Sequence, residues 1–319
     1  MRYHRDLFVD PLFWTFRHLN LVGCHFTPLE SREIPQDIED AREAQNNDEP
    51  RDRVPPPPPS APERLAKSCA PLVKLSALYH ILEYEGSAFE ERCSRGPKFY
   101  FAGKAIHRPK YVVFGRRKQA NEPLDDTLIG YFDYTFATYG RKDKFQAKSH
   151  PGNGNNAPVG RLHTKQLARI TPANWEEDPY FVCLLLAIAQ LQQRSLPTQK
   201  QTTHTSRLLV AKWPDCEFIY LYEAQFTSEL LKAIENPKAA TTYTTWPTIT
   251  RKIIPYKPYD TFRSRLVAEL LLTKNQNCYA TSGNKDCADF VVRCTTKRPH
   301  QQDDETRTVK RKVDMAYGK

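Results

Sequence analysis

Two carboxylates bracket a strand-like run late in the chain. Asp215 follows Pro214, and Glu223 follows Glu217-Phe-Ile-Tyr-Leu-Tyr222, with Gln225 two residues further on. Carboxylates that converge in space can hold a divalent cation. Glu176 or Glu177 would supply a further acid. The competing chemistry is plainer: Pro-Asp is ordinary turn chemistry, so Asp215 would simply form the bend of a hairpin.

A second constellation is electrostatic. From Lys98 to Arg169 the chain carries 14 Lys and Arg against 5 Asp and Glu, within a net charge of +10. Rings such as Phe99, Tyr111, Tyr131, Phe132, Tyr134 and Tyr139 are interleaved with Arg116, Arg117, Lys118, Arg141 and Lys142. Cations for phosphates and rings for base stacking are what single-stranded nucleic-acid surfaces use. The same alternation also describes a half-buried sheet, with rings facing the core and cations facing water.

The Asp215, Glu223 and Gln225 arrangement resembles the PD-(D/E)XK nuclease pattern. That resemblance implies a metal-dependent phosphodiesterase in which the two acids hold the metal and a lysine supports the nucleophile. Here Gln225 stands in the lysine's place, Asp215 falls at a turn and the spacing to Glu223 is short. Other catalytic signatures fail. His4-Arg5-Asp6-Leu7 spells the start of a kinase catalytic loop, but Pro11 occupies the magnesium-binding Asn position and no glycine-rich loop accompanies it. Eight cysteines are scattered with no C-x-x-C spacing, which argues against a zinc site or a redox pair and for reduced thiols. No cofactor is expected.

Lys297-Arg298 and Lys310-Arg311-Lys312 form two basic clusters across a polar spacer, the form of a bipartite nuclear import signal. No apolar run reaches the length needed to cross a bilayer, and the amino terminus lacks a secretory h-region. A nuclear or cytoplasmic protein, neither secreted nor membrane-bound, is expected.

These residues need elements to position them. Residues 1–30 predict an amphipathic helix, with Asp10 as N-cap, Pro11 at its first turn and Gly23 at its stop. Residues 31–67 read as a disordered linker. Glu33–Asp52 holds eight acidic and two basic residues, and Pro55–Pro59 is a run of five prolines. Arg53-x-x-Pro56-x-x-Pro59 and Pro59-x-x-Pro62-x-Arg64 offer both polyproline orientations to an SH3-type partner. A mixed α+β domain is expected over 68–296. It would hold a helix with Leu72, Leu75, Leu78, Tyr79 and Leu82 inward, strands near 98–102, 110–114 and 128–136, and a loop at 151–158. After these come an all-round apolar helix at 180–189, a hairpin at 207–222, a helix at 227–235, an edge-like extended stretch at 240–258, a helix from Asp260 and a strand at 290–294. Residues 297–319 are a basic polar tail.

The block Asp178–Pro237, with Phe218-Ile-Tyr-Leu-Tyr222 and Phe226-Thr-Ser-Glu-Leu-Leu231 inside it, resembles a block in uncharacterised filamentous-fungal proteins. Its matching residues are core and cap positions, so the resemblance implies a shared fold and no known activity. The sequence reads first as a non-catalytic protein-interaction protein. Single-stranded nucleic-acid binding through 98–169 and a divergent PD-(D/E)XK-like nuclease are the alternatives.

Overall fold

The apolar run at 180–189 lies inside α6 (Tyr180–Ser195), and every residue from Tyr180 to Gln190 is buried. A helix apolar on all sides must lie under other layers, and this one covers one face of a seven-stranded sheet. This is a computed structural model describing residues 9–28, 58–117, 127–146, 156–195, 203–238 and 245–272. The first compact unit ends at Leu272, and the second, Thr273–Lys319, lies outside the described residues. The expected strand at 290–294 and both import clusters fall there.

The chain is α+β. The strands are β1 (His25–Pro28), β2 (Phe89–Cys93), β3 (Phe99–Phe101), β4 (Lys104–His107), β5 (Val112–Arg116), β6 (Leu128–Asp133), β7 (Thr203–Ala211), β8 (Phe218–Thr227) and β9 (Thr248–Pro255). The main sheet runs β1-β9-β8-β7-β6-β5-β2, and β3–β4 is a separate hairpin. Strands β2, β5 and β6 form an antiparallel meander. The chain then crosses over through α6 and returns as β7, parallel to β6 with Asp133 opposite Ala211. The expected hairpin is β7–β8.

Side chains alternate between the two faces, as the strand period of two requires. Val113, Phe132, Leu208, Val210, Tyr220 and Tyr222 pack under α6, while Phe114, Ile129, Tyr131, Leu209, Ala211 and Ile219 face the other way. That second face is covered by α2 (Ala61–Lys67), α3 (Pro71–Leu82) and α8 (Tyr259–Leu271), while α7 (Ser228–Glu235) packs in the α6-side core. Gly130 permits the close approach of α6: a Cβ there would stand 2.9 Å from Ile188 Cδ1 and 3.0 Å from Leu208 Cδ1.

Several expectations are corrected. The stretch 31–67 is not linker throughout, because Ser60 caps α2 and Leu65 and Ala66 are fully buried. Pro62 is buried in that helix, so Pro59-x-x-Pro62-x-Arg64 is not a free polyproline motif; Pro55–Pro57 lie outside the described residues. The amino-terminal helix divides into a 3-10 turn at Pro11–Phe13 and α1 (Phe16–Val22), followed by β1, which pairs with β9. Strand β9, within the expected 240–258 stretch, is therefore not an edge; residues 240–244 lie outside the described residues. The strand expected through Phe136 ends at Asp133, where α4 (Thr135–Lys144) begins, and 157–170 forms the helix α5.

Candidate functional site

The two carboxylates of the hairpin do not meet. Asp215 Oδ1 accepts the amides of Glu217 (3.0 Å) and Phe218 (3.2 Å), and its Oδ2 accepts the Tyr220 hydroxyl at 2.9 Å. It holds the turn, as Pro-Asp chemistry suggests. Glu223 stands five residues into β8, about 17 Å along the strand from its start. Its Oε2 takes Arg207 Nε at 2.7 Å, and the other Arg207 nitrogens donate to the carbonyls of Leu270 and Leu272. Glu223 therefore serves an arginine that ties down the end of α8. Gln225 is exposed, and Glu176 pairs with Arg251 at 2.5 Å. Among the described residues no group of three or more His, Cys, Asp or Glu could hold a metal.

The basic and aromatic segment is also rearranged. Phe99, Tyr111, Phe114, Tyr131, Phe132 and Tyr134 are buried, so they are core rings rather than stacking platforms. Arg141 is corrected as well. Its guanidinium grips Asp178 with two 2.7 Å bonds, and its Nε donates to the Leu12 carbonyl. Asp178 also accepts the Tyr134 hydroxyl and the Tyr180 amide, each at 2.9 Å. Such a fully satisfied buried pair positions α4 and α6 and is closed to phosphate. Arg116 is half-buried, Arg117 is exposed with Nε 4.0 Å from Glu90, and Lys142 is exposed; Lys118 lies outside the described residues.

A different set of side chains converges at the carboxyl end of β6. Parallel strands joined by a crossover helix leave a crevice at their carboxyl ends, where open sheets commonly bind ligands. Here β6 and β7 form that pair. Asp133, the last residue of β6, accepts the Thr135 amide on Oδ1 at 2.9 Å, which starts α4. Its Oδ2 has no hydrogen-bond partner and faces Lys74 Nζ at 4.0 Å, on side chains 2% and 0% exposed. Lys74 Nζ likewise donates to nothing. Burial lowers the Lys74 pKa, outweighing the opposing pull of Asp133. The hydroxyls of Tyr131 and Tyr256, also buried without partners, are pushed well above the ordinary tyrosine range, chiefly by burial and then by neighbouring acidic groups that include Asp133.

Over this floor opens a cleft of about 400 Å³. Asp133, Tyr131 and Phe136 line its inner part, and Pro71, Leu72 and Leu75 of α3 form an apolar side. Arg95, Arg108 and Lys110 line its rim and are exposed. Asp133 is the one acid among the described lining residues, and Lys74 faces it. The opening is therefore electropositive, which suits an anion.

Sequence reading missed this site at the first turn of α3. Leu72, an expected core residue, is 77% exposed, while Lys74 takes a core position beside Ala77, Leu78, Ile81 and Leu82. The legible signal was Asp133, a lone acid closing the apolar strand Leu128-Ile-Gly-Tyr-Phe-Asp133. No helix among the described residues is long and apolar enough to cross a membrane. No family model matches the chain, and no curated protein matches it.

Proposed function

We propose that the protein binds nucleic-acid phosphates in the cleft at the end of β6, without cleaving them. The observation that carries this reading is the rim: Arg95, Arg108 and Lys110 are exposed around one opening whose single described lining acid is buried against Lys74. Phosphate contacts supply affinity without requiring exposed rings, so burial of most segment aromatics is compatible with it. The surplus of nine cations between residues 98 and 169, 14 against 5, favours a polyanion over a small acid. Catalysis lacks support because Asp133 is a solitary carboxylate whose chemistry is absorbed by Lys74 and the start of α4.

The test is binding of a labelled single-stranded oligonucleotide by the full chain across a salt series, with and without a chelator. Affinity should fall steeply with salt, be indifferent to chelation, and drop in Arg108→Ala/Lys110→Ala. The log-log slope should shrink by about 0.7 for each phosphate that the variant no longer neutralises. Affinity unmoved by salt and by that variant would refute the reading. Magnesium-dependent cleavage abolished in Asp133→Asn would overturn it in favour of a nuclease centred on Asp133.

A further inference from the structure

Outside the cleft, α5 (Ala157–Ile170) is the unusual element. None of its fourteen residues is buried, and the sequence APVGRLHTKQLARI contains no acid. Arg161, Lys165 and Arg169 are all exposed, four residues apart, and make no ion pair among the described residues. Successive members of that row rise about 6 Å along the axis and share one stripe. On the opposite side Val159, His163, Leu167 and Ile170 are half-buried, and the His163 ring lies 6.3 Å from Phe145 at the end of α4. The cationic stripe on the other side is exposed.

We infer that α5 is a ridge that tracks the phosphates of single-stranded nucleic acid, a contact additional to the one made in the cleft; the inference rests on the proposed function above. Charge complementarity selects a polyanion. A lipid surface is the competing polyanion, but a helix lying in a bilayer needs a broad apolar face. The large exposed apolar side chain of α5 is Leu162, while Val159, Leu167 and Ile170 are half-buried. A ring elsewhere on the surface agrees with the nucleic-acid choice. Tyr139 on α4 is 67% exposed and stands one helical turn from the exposed Lys142, a ring and a cation on one face. Single strands use that pairing of base stacking with phosphate attraction.

The experiment compares two labelled single strands on the full chain, one of about 4 and one of about 16 nucleotides, spanning the usual range of single-strand site sizes. The variant Arg161→Gln/Lys165→Gln/Arg169→Gln keeps good helix formers at exposed positions, and unchanged circular dichroism verifies its fold. Its log-log salt slope should fall by about 2 on the longer strand, three phosphates at about 0.7 each, with no change on the shorter one. An unchanged slope on the longer strand, while Arg108→Ala/Lys110→Ala weakens both, overturns the ridge and leaves the cleft standing. Weakened binding confined to the α5 variant, with the cleft variant binding normally, overturns the cleft reading and with it the inference that rests on it. Absence of binding by the unmodified chain at low salt overturns both. Retention on phosphatidylserine vesicles that disappears in the α5 variant, without an effect on oligonucleotides, overturns the ridge in favour of a membrane.

Discussion

Lys74 and Asp133 show how much a single buried pair can set. Their charged atoms are 4.0 Å apart, beyond hydrogen-bond distance, and neither Nζ nor Oδ2 has another partner. Buried polar atoms are nearly always paired, so this arrangement is expensive for the fold. Removing one member strands the other, and Lys74→Met should destabilise the chain by about 3–5 kcal/mol. Adding Asp133→Asn should recover most of that loss, because the neutral amide can still accept the Thr135 amide and leaves no charge uncompensated. Urea unfolding of both singles and the double closes the cycle. Additive losses would show that the two groups are not coupled. Arg141 and Asp178 make the contrast: every strong donor and acceptor there is used, and the pair is structural.

At the scale of elements, legibility followed how many faces a segment buries. Helix α6 was readable because it is apolar all round, and β7–β8 because two alternating runs flank a Pro-Asp turn. Helix α3 was expected from Pro71 to near Gly86 and ends at Leu82; Leu75, Leu78, Tyr79 and Leu82 face the core as expected, but Leu72 is exposed and Lys74 is buried instead. Strand β1 could not be read: it is four residues long, and its partner β9 lies over 200 residues away, with His25 opposite Thr248. Helix α2 carried legible signals in Ser60, Pro62 and Glu63 that the adjoining proline run obscured. The same packing logic gives a prediction at Gly130. Ile188, Leu208 and Tyr111 side chains would all stand within 3.1 Å of an added Cβ. Gly130→Ala should therefore destabilise by about 1–3 kcal/mol through overpacking. Thermal unfolding checks this, and an unchanged midpoint would mean that α6 is not seated so closely on the sheet.

Across the whole molecule, the buried thiols and phenols give stability a definite pH dependence. Burial pushes Cys24 up to about 12 and raises Cys183, Tyr111, Tyr131 and Tyr256 well above their ordinary values. A group whose folded pKa is raised contributes stability that is full below its unfolded value and is lost as pH rises through the folded one. Lys74, lowered by burial, has the opposite sign: its contribution is full above the ordinary lysine range and is lost as pH falls through its depressed value. The thiols and phenols outnumber it. Unfolding free energy should thus decline from about pH 9, where unfolded thiols begin to ionise, toward pH 12. Denaturant titrations across that window report the trend, and stability rising throughout it would contradict the burial of these groups.

Seven strands, α3 and the turn into α4 together place three exposed cations around one opening, and the central claim is that nucleic acid sits there. Amide hydrogen exchange of the full chain, with and without a saturating single-stranded oligonucleotide, locates the ligand directly. Slowed exchange at Leu72–Leu75, at Ser94–Arg95 and at Lys110–Val112, with the β7–β8 turn around Asp215 unchanged, is the expected pattern. Protection at the Asp215 turn and along β8, with the rim of the cleft untouched, would contradict it.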